Sequence, residues 1–91
     1  MTVIEVLVFA AGAFLIDLHI TLAQDQWTVA GQILDPEANG MVELTGPTIS
    51  VRADISDLSE FRLPAVPAGR YTLAFQLADL DIAIPDLELV I

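Results

Sequence analysis

From Phe14 the chain alternates cleanly between apolar and polar positions. Phe14, Ile16, Leu18, Ile20 and Leu22 fall in one phase, and Leu15, Asp17, His19, Thr21 and Ala23 in the other. A period of two is strand geometry, because successive side chains leave opposite faces of a pleated backbone. After the polar turn Gln24-Asp25-Gln26, a second segment puts Trp27, Val29, Gly31 and Ile33 opposite Thr28, Ala30, Gln32 and Leu34. Two such segments around a short polar turn are predicted to form a hairpin.

The remainder reads as short strands between turn signals. Asp35 to Gly40 is a loop, with Pro36 stopping the strand and Asn39-Gly40 suited to positive φ. Met41 to Leu44 and Thr48 to Ala53 follow as strands around Gly46-Pro47, and Ser56-Asp57-Leu58-Ser59 turns the chain into Phe61 and Leu63. The corner Pro64-Ala65-Val66-Pro67-Ala68-Gly69 fixes φ at two prolines and offers Gly69 a conformation closed to other residues. It delivers into Arg70 to Ala78, where Tyr71, Leu73, Phe75 and Leu77 alternate. An acidic turn, Ala78 to Asp81, precedes Ile82 to Ile91, which Pro85 restricts to a sheet edge or a bulge. No window carries a sustained helical period, although Val3 to Ala13 has room for a turn or two. The prediction is an all-β fold, an antiparallel β-sandwich of about seven strands.

Length and composition sharpen this picture. Ninety-one residues suit one domain, read as 1–91, with 1–13 an apolar N-terminal strand or arm. Hydrophobic residues make up 55% of the chain and charged residues 18%, so apolar strand surface is in surplus. Thirteen acidic residues stand against Arg52, Arg62 and Arg70, giving a net charge of −10. Such a surface repels phosphate, which argues against nucleic-acid binding. With no cysteine there are neither disulfides nor thiolate metal sites, and the compartment stays open. Val6 to Ile16 is uncharged and Ala11-Gly12-Ala13 resembles a cleavage site, but no basic residue precedes them and Glu5 interrupts the apolar run. The reading is therefore neither a signal peptide nor a membrane span, which leans toward the cytoplasm.

Three short motifs resemble the transthyretin-like, or carboxypeptidase regulatory-like, family of small β-sandwiches, across about Thr28 to Leu77. Val29-Ala30-Gly31-Gln32-Ile33-Leu34-Asp35 fits its V-x-G-x-V/I-x-D strand. Ser56-Asp57-Leu58-Ser59-Glu60-Phe61 fits T-D-x-G-x-F, with Ser56 for threonine and Ser59 for glycine. Pro67-Ala68-Gly69-Arg70-Tyr71-Thr72-Leu73 fits P-x-G-x-Y-x-L throughout. Serine tolerates positive φ less well than glycine, so the second turn is expected to be reshaped or longer. A looser likeness is to bacterial sandwiches of this kind with an apolar strand near the N-terminus. The resemblance implies a docking or assembly module. The branch that hydrolyses 5-hydroxyisourate ends in a Y-R-G-S signature that Leu87-Glu88-Leu89-Val90-Ile91 lacks, so that activity is not implied.

Candidate chemistry is sparse. His19 is the only histidine and lies in the polar phase of its strand, without a nucleophile or sulfur ligand near it in sequence. No catalytic, cofactor-binding or metal-ligating residue is assigned, and the chain is read as a non-enzyme. Asp54, Asp57 and Glu60, together with Asp79 and Asp81, mark two acidic turns as candidate ligand loops, below the ligand density of a dedicated calcium loop. Trp27 and Tyr71 would make a platform for a carbohydrate if exposed, but their phase places both in the core, with the Tyr71 hydroxyl reaching a partner near Pro67. The strongest functional signal is the surplus apolar strand at the two ends, Thr2 to Phe9 and Ile82 to Ile91, because monomers avoid free flat edges. The C-terminal segment is expected to pair internally. Val3, Ile4, Val6, Val8 and Phe9 are the candidate interface of a homo-oligomer, with a filament built by strand addition, or a small-ligand or carbohydrate-binding module, as the alternatives.

Overall fold

The structure, a computed structural model, describes residues 3–11, 14–34, 39–77 and 81–89, with side chains from residue 15 onward in those ranges. Eight strands lie among them: β1 (Val3–Ala11), β2 (Phe14–Ala23), β3 (Gln26–Ile33), β4 (Gly40–Thr45), β5 (Ser50–Asp54), β6 (Glu60–Arg62), β7 (Gly69–Leu77) and β8 (Asp81–Leu89). They form two four-stranded sheets, β1-β2-β3-β6 and β5-β4-β7-β8. Every pairing is antiparallel, and one apolar core lies between the sheets. The expected β-sandwich is formed.

The alternation in the sequence builds the core directly. Ile16, Leu18 and Ile20 of β2 are fully buried, as are Val29 and Ile33 of β3, while Leu15 and His19 in the opposite phase face solvent. Val42 and Leu44 of β4 and Leu73 and Phe75 of β7 supply the facing wall. Phe61 of β6 meets Phe75 of β7 edge to face, with centroids 5.4 Å apart, so an aromatic pair joins the sheets. The β2–β3 loop is one residue shorter than the sequence suggested: Gln24 and Asp25 alone form it, at φ 54° and 63°. Positive φ at both central residues matches the twist of the flanking strands.

The segment with room for helix is instead β1, paired with β2 from Val3 opposite Leu22 to Ala11 opposite Phe14. Val3, Ile4, Val6 and Val8 are β-branched and favour this choice. Strand β5 begins at Ser50 rather than Thr48, because the Gly46 amide donates to the Ile49 carbonyl at 2.8 Å and closes a turn over Gly46 to Ile49. At the other end, β8 pairs with β7 as expected and carries both features that Pro85 implied. It is a sheet edge, and its register slips where Pro85 and Asp86 together oppose Thr72. The extra residue flips the alternation, so Ile82 and, further on, Leu87 and Leu89 are all buried. The loop at 35–38, the turn at 78–80, and residues 1–2, 12–13 and 90–91 lie outside the described residues.

The proline-glycine corner holds its shape by a hydrogen bond and two close contacts. The Tyr71 hydroxyl donates to the Pro67 carbonyl at 2.7 Å, as its phase predicted. Gly69, however, does not use positive φ; among the described residues Gly40 is the glycine that does, at 137°. What Gly69 and Gly46 provide is space. A Cβ on Gly46 would lie 2.6 Å from the Tyr71 ring and one on Gly69 3.3 Å from it, so the phenol is clasped between two bare backbones.

Candidate functional site

The outer face of the first sheet carries an open groove of about 580 Å³ beside the β5–β6 turn. Asp17 and His19 of β2, Gln32 of β3, Glu60 and Arg62 of β6, and Asp54 and Ser56 from the incoming chain line it. The turn that shapes it is the second family-like motif. Ser56 accepts backbone N–H bonds from Leu58 and Glu60 on its hydroxyl, both at 3.2 Å, and the Ser59 amide donates to the Ser56 carbonyl at 2.9 Å. Ser59 takes φ 61° and is buried, so serine here adopts the positive φ that glycine usually supplies. Its carbonyl accepts from the Ile33 amide at 2.9 Å, and Gln32 Nε2 donates to the Leu58 carbonyl at 3.3 Å, which moors the turn to β3.

The electrostatics of this groove are mixed. His19 Nε2 lies 3.5 Å from Asp17 Oδ2, with the imidazole about half exposed. Arg62 is the cation in its lining; the other two arginines lie on the second sheet, Arg52 paired with Glu43 at 3.1 Å and Arg70 with Glu88 at 2.8 Å. Asp54 and Glu60 line the groove, Asp57 is exposed on the turn outside its lining, Asp81 starts β8, and Asp79 lies outside the described residues. Among the described residues no three acidic or histidine side chains come together in a way that would hold a metal ion. Of the first acidic turn expected from sequence, Asp54 and Glu60 thus share the groove while Asp57 stands outside its lining. Sequence reasoning missed Gln32, Ser56 and Arg62 as groove residues, since their proximity depends on β3 pairing with β6 across an intervening hairpin. The aromatic platform is not formed either: Trp27 and Tyr71 are only 5% and 3% exposed.

The sheet edges differ more sharply than the faces. Four strands are edges: β1 and β6 in one sheet, β5 and β8 in the other. β6 is three residues long, β5 is five and carries Arg52 and Asp54, and β8 has Pro85, a register slip and the acids Asp81, Asp86 and Glu88. These are the features that keep an edge from pairing with another chain. β1 has none of them. It is nine residues long, runs in unbroken register, contains no proline, and bears a single charge, Glu5. All five candidate interface residues, Val3, Ile4, Val6, Val8 and Phe9, lie in this strand, beside Leu22, Thr21, His19, Asp17 and Ile16 of β2.

Of the two alternatives for this segment, strand or arm, residues 3–11 take the first and form the outermost strand of their own sheet. One backbone edge of β1 is used by β2, and no described strand pairs with the other. No family model matches the chain, and no curated protein or solved structure does.

Proposed function

We propose that this chain is a non-catalytic interaction and assembly module, a sandwich of the transthyretin-like kind, that forms a homo-oligomer through its N-terminal strand. The observation that carries the reading is the contrast among the four edges of the described strands, of which β1 alone is long, unbroken in register and almost uncharged. Unpaired strand edges are templates for another chain, and main-chain hydrogen bonds then supply affinity without any pocket. The family-like part of the reading is supported by the Ser56 turn, which keeps a hydroxyl and a positive φ where the motif calls for them, and by the Tyr71 to Pro67 bond at the corner.

The test is light scattering coupled to size exclusion on the full chain over a range of concentrations. A defined oligomer is expected; a species of one chain's mass up to high micromolar concentration would sink the reading. Deleting 1–13 is a poor substitute, because removing β1 would bare the edge of β2 and so replace one open edge with another. Substitutions within β1 leave that edge covered.

A further inference from the structure

We infer that the occupant of the β1 edge is the β1 strand of a second copy, paired antiparallel about a two-fold axis through Leu7, so that assembly closes at two chains. The inference rests on the assembly reading above and names its partner, register and stoichiometry.

A two-fold axis between identical antiparallel strands sets some residue opposite itself. Within Val3–Ala11 the choice of Leu7 as that residue uses all nine positions. Val3 then faces the second copy's Ala11, Ile4 its Ala10, Glu5 its Phe9, and Val6 its Val8. Glu5, the one charge in the strand, meets an apolar residue. An axis through Glu5 would set two carboxylates opposite one another and leave four residues unpaired; like charges directly opposed destabilise a ladder. In a chain of net charge −10, the strand nearly free of charge is also where a second copy meets least repulsion.

The same geometry decides between a closed dimer and a fibre. A growing filament needs two complementary edges on each copy, one to give and one to receive. Among the described strands the other long edge, β8, is interrupted by Pro85 and the slip at Asp86, and β5 and β6 are short. Self-pairing of β1 consumes the one open edge on each copy. The first sheets of the two copies then join into one eight-stranded sheet running from β6 through β1 to the second copy's β6.

Because the chain has no cysteine, disulfide trapping reads this register cleanly. Directly opposed residues have Cα atoms about 4.5–5.5 Å apart, within the span a disulfide accepts. Full-length Leu7→Cys should oxidise to a covalent dimer. Ile4→Cys and Ala10→Cys should each stay unlinked alone and link when the two variant proteins are mixed, which covers a Leu7→Cys variant that folds poorly. Light scattering of the unsubstituted chain should give twice the chain mass. A single-chain mass would overturn both the assembly reading and the pairing. A defined oligomer in which neither trap forms, or in which Ile4→Cys links to itself, would overturn the pairing and leave the assembly reading intact. Species that keep growing with concentration would overturn closure at two.

Discussion

β1 and β8 are both nine-residue strands at the outer edge of their sheets, yet they present opposite edges to a neighbour. β8 contains Pro85, slips in register at Asp86, which sits at φ 58°, and carries the carboxylates of Asp81, Asp86 and Glu88. β1 keeps full register and a single acid. Both contribute apolar residues, so hydrophobicity is not what separates them. The difference lies in backbone regularity: an edge recruits another chain when its donors and acceptors keep one unbroken register and its side chains carry no repelling charge.

The largest effect is therefore expected from transferring the β8 solution to β1. Val6 is in register with His19, a half-exposed position, and not with the buried Ile16, Leu18 or Ile20 of β2, so β1 takes Val6→Lys at a site away from those core positions. In the proposed dimer it brings two ammonium groups near the axis. Charge juxtaposition of about 3 kcal/mol would weaken association on the order of a hundredfold. Analytical ultracentrifugation of Val6→Lys should show chiefly single chains at concentrations where the unsubstituted protein is dimeric, with an unchanged circular dichroism spectrum. A dimer of equal strength would mean that β1 is not the interface.

The converse change sharpens the comparison from the other side. Deleting Asp86 and introducing Pro85→Val restores one residue opposite Thr72 and lets β8 pair evenly with β7. Ile82, Ile84, Leu87 and Leu89 then fall in a single phase, and the edge becomes flat. Copies with two open edges should assemble beyond two, visible as scattering that grows with concentration and as thioflavin-negative or thioflavin-positive chains in the electron microscope. Unaltered mass would show that the acidic side chains, not the bulge, keep this edge free.

The sequence made the two edges legible to different degrees, for a physical reason. Pro85 announces an edge by its missing N–H, and the change of phase between Ile82-Ile84 and Leu87-Leu89 announces the extra residue. In β1 both phases are apolar, so no alternation says which face is inward or which strand is the neighbour. The β2–β3 hairpin was readable because its phases are clean, whereas its two-residue loop was overestimated because Gln24-Asp25 lacks the glycine that usually advertises positive φ. The Tyr71 hydroxyl bond followed from phase and the nearby proline carbonyl. The groove at Gln32, Ser56 and Arg62 did not, since long-range strand order leaves no local mark.

A smaller effect is expected beside the β8 bulge, where Tyr71 pairs with Leu87. Tyr71→Phe removes the bond to the Pro67 carbonyl and should cost about 1 kcal/mol, a fall in Tm of roughly 4–8 °C. The pH dependence has a definite sign. Burial raises the phenol above its ordinary value of 10.0, so the folded chain holds this proton where the unfolded chain has released it. Its stabilising contribution is complete below pH 10 and declines as pH rises through the raised value. Thermal melts of Tyr71→Phe should therefore lose less stability between neutral and strongly alkaline pH than the unsubstituted chain. Parallel pH profiles would show that this phenol keeps no such preference for its proton.

The smallest effect concerns the ion pair that spans β7 and β8. Arg70 and Glu88 meet at 2.8 Å, but their side chains are 67% and 53% exposed. Water and salt screen such a pair, and ordering two long side chains offsets the attraction, so Glu88→Ala should change stability by less than about 0.5 kcal/mol. It should also leave the oligomeric state unchanged, because Pro85 and the slip at Asp86 still interrupt the edge. A melt lowered by several degrees that persists in high salt would assign β8 an anchor at Arg70 that the exposed geometry does not provide. A change of mass with no change of melt would instead move the guarding of this edge from backbone to charge. The contrast with β1 would then turn on one glutamate.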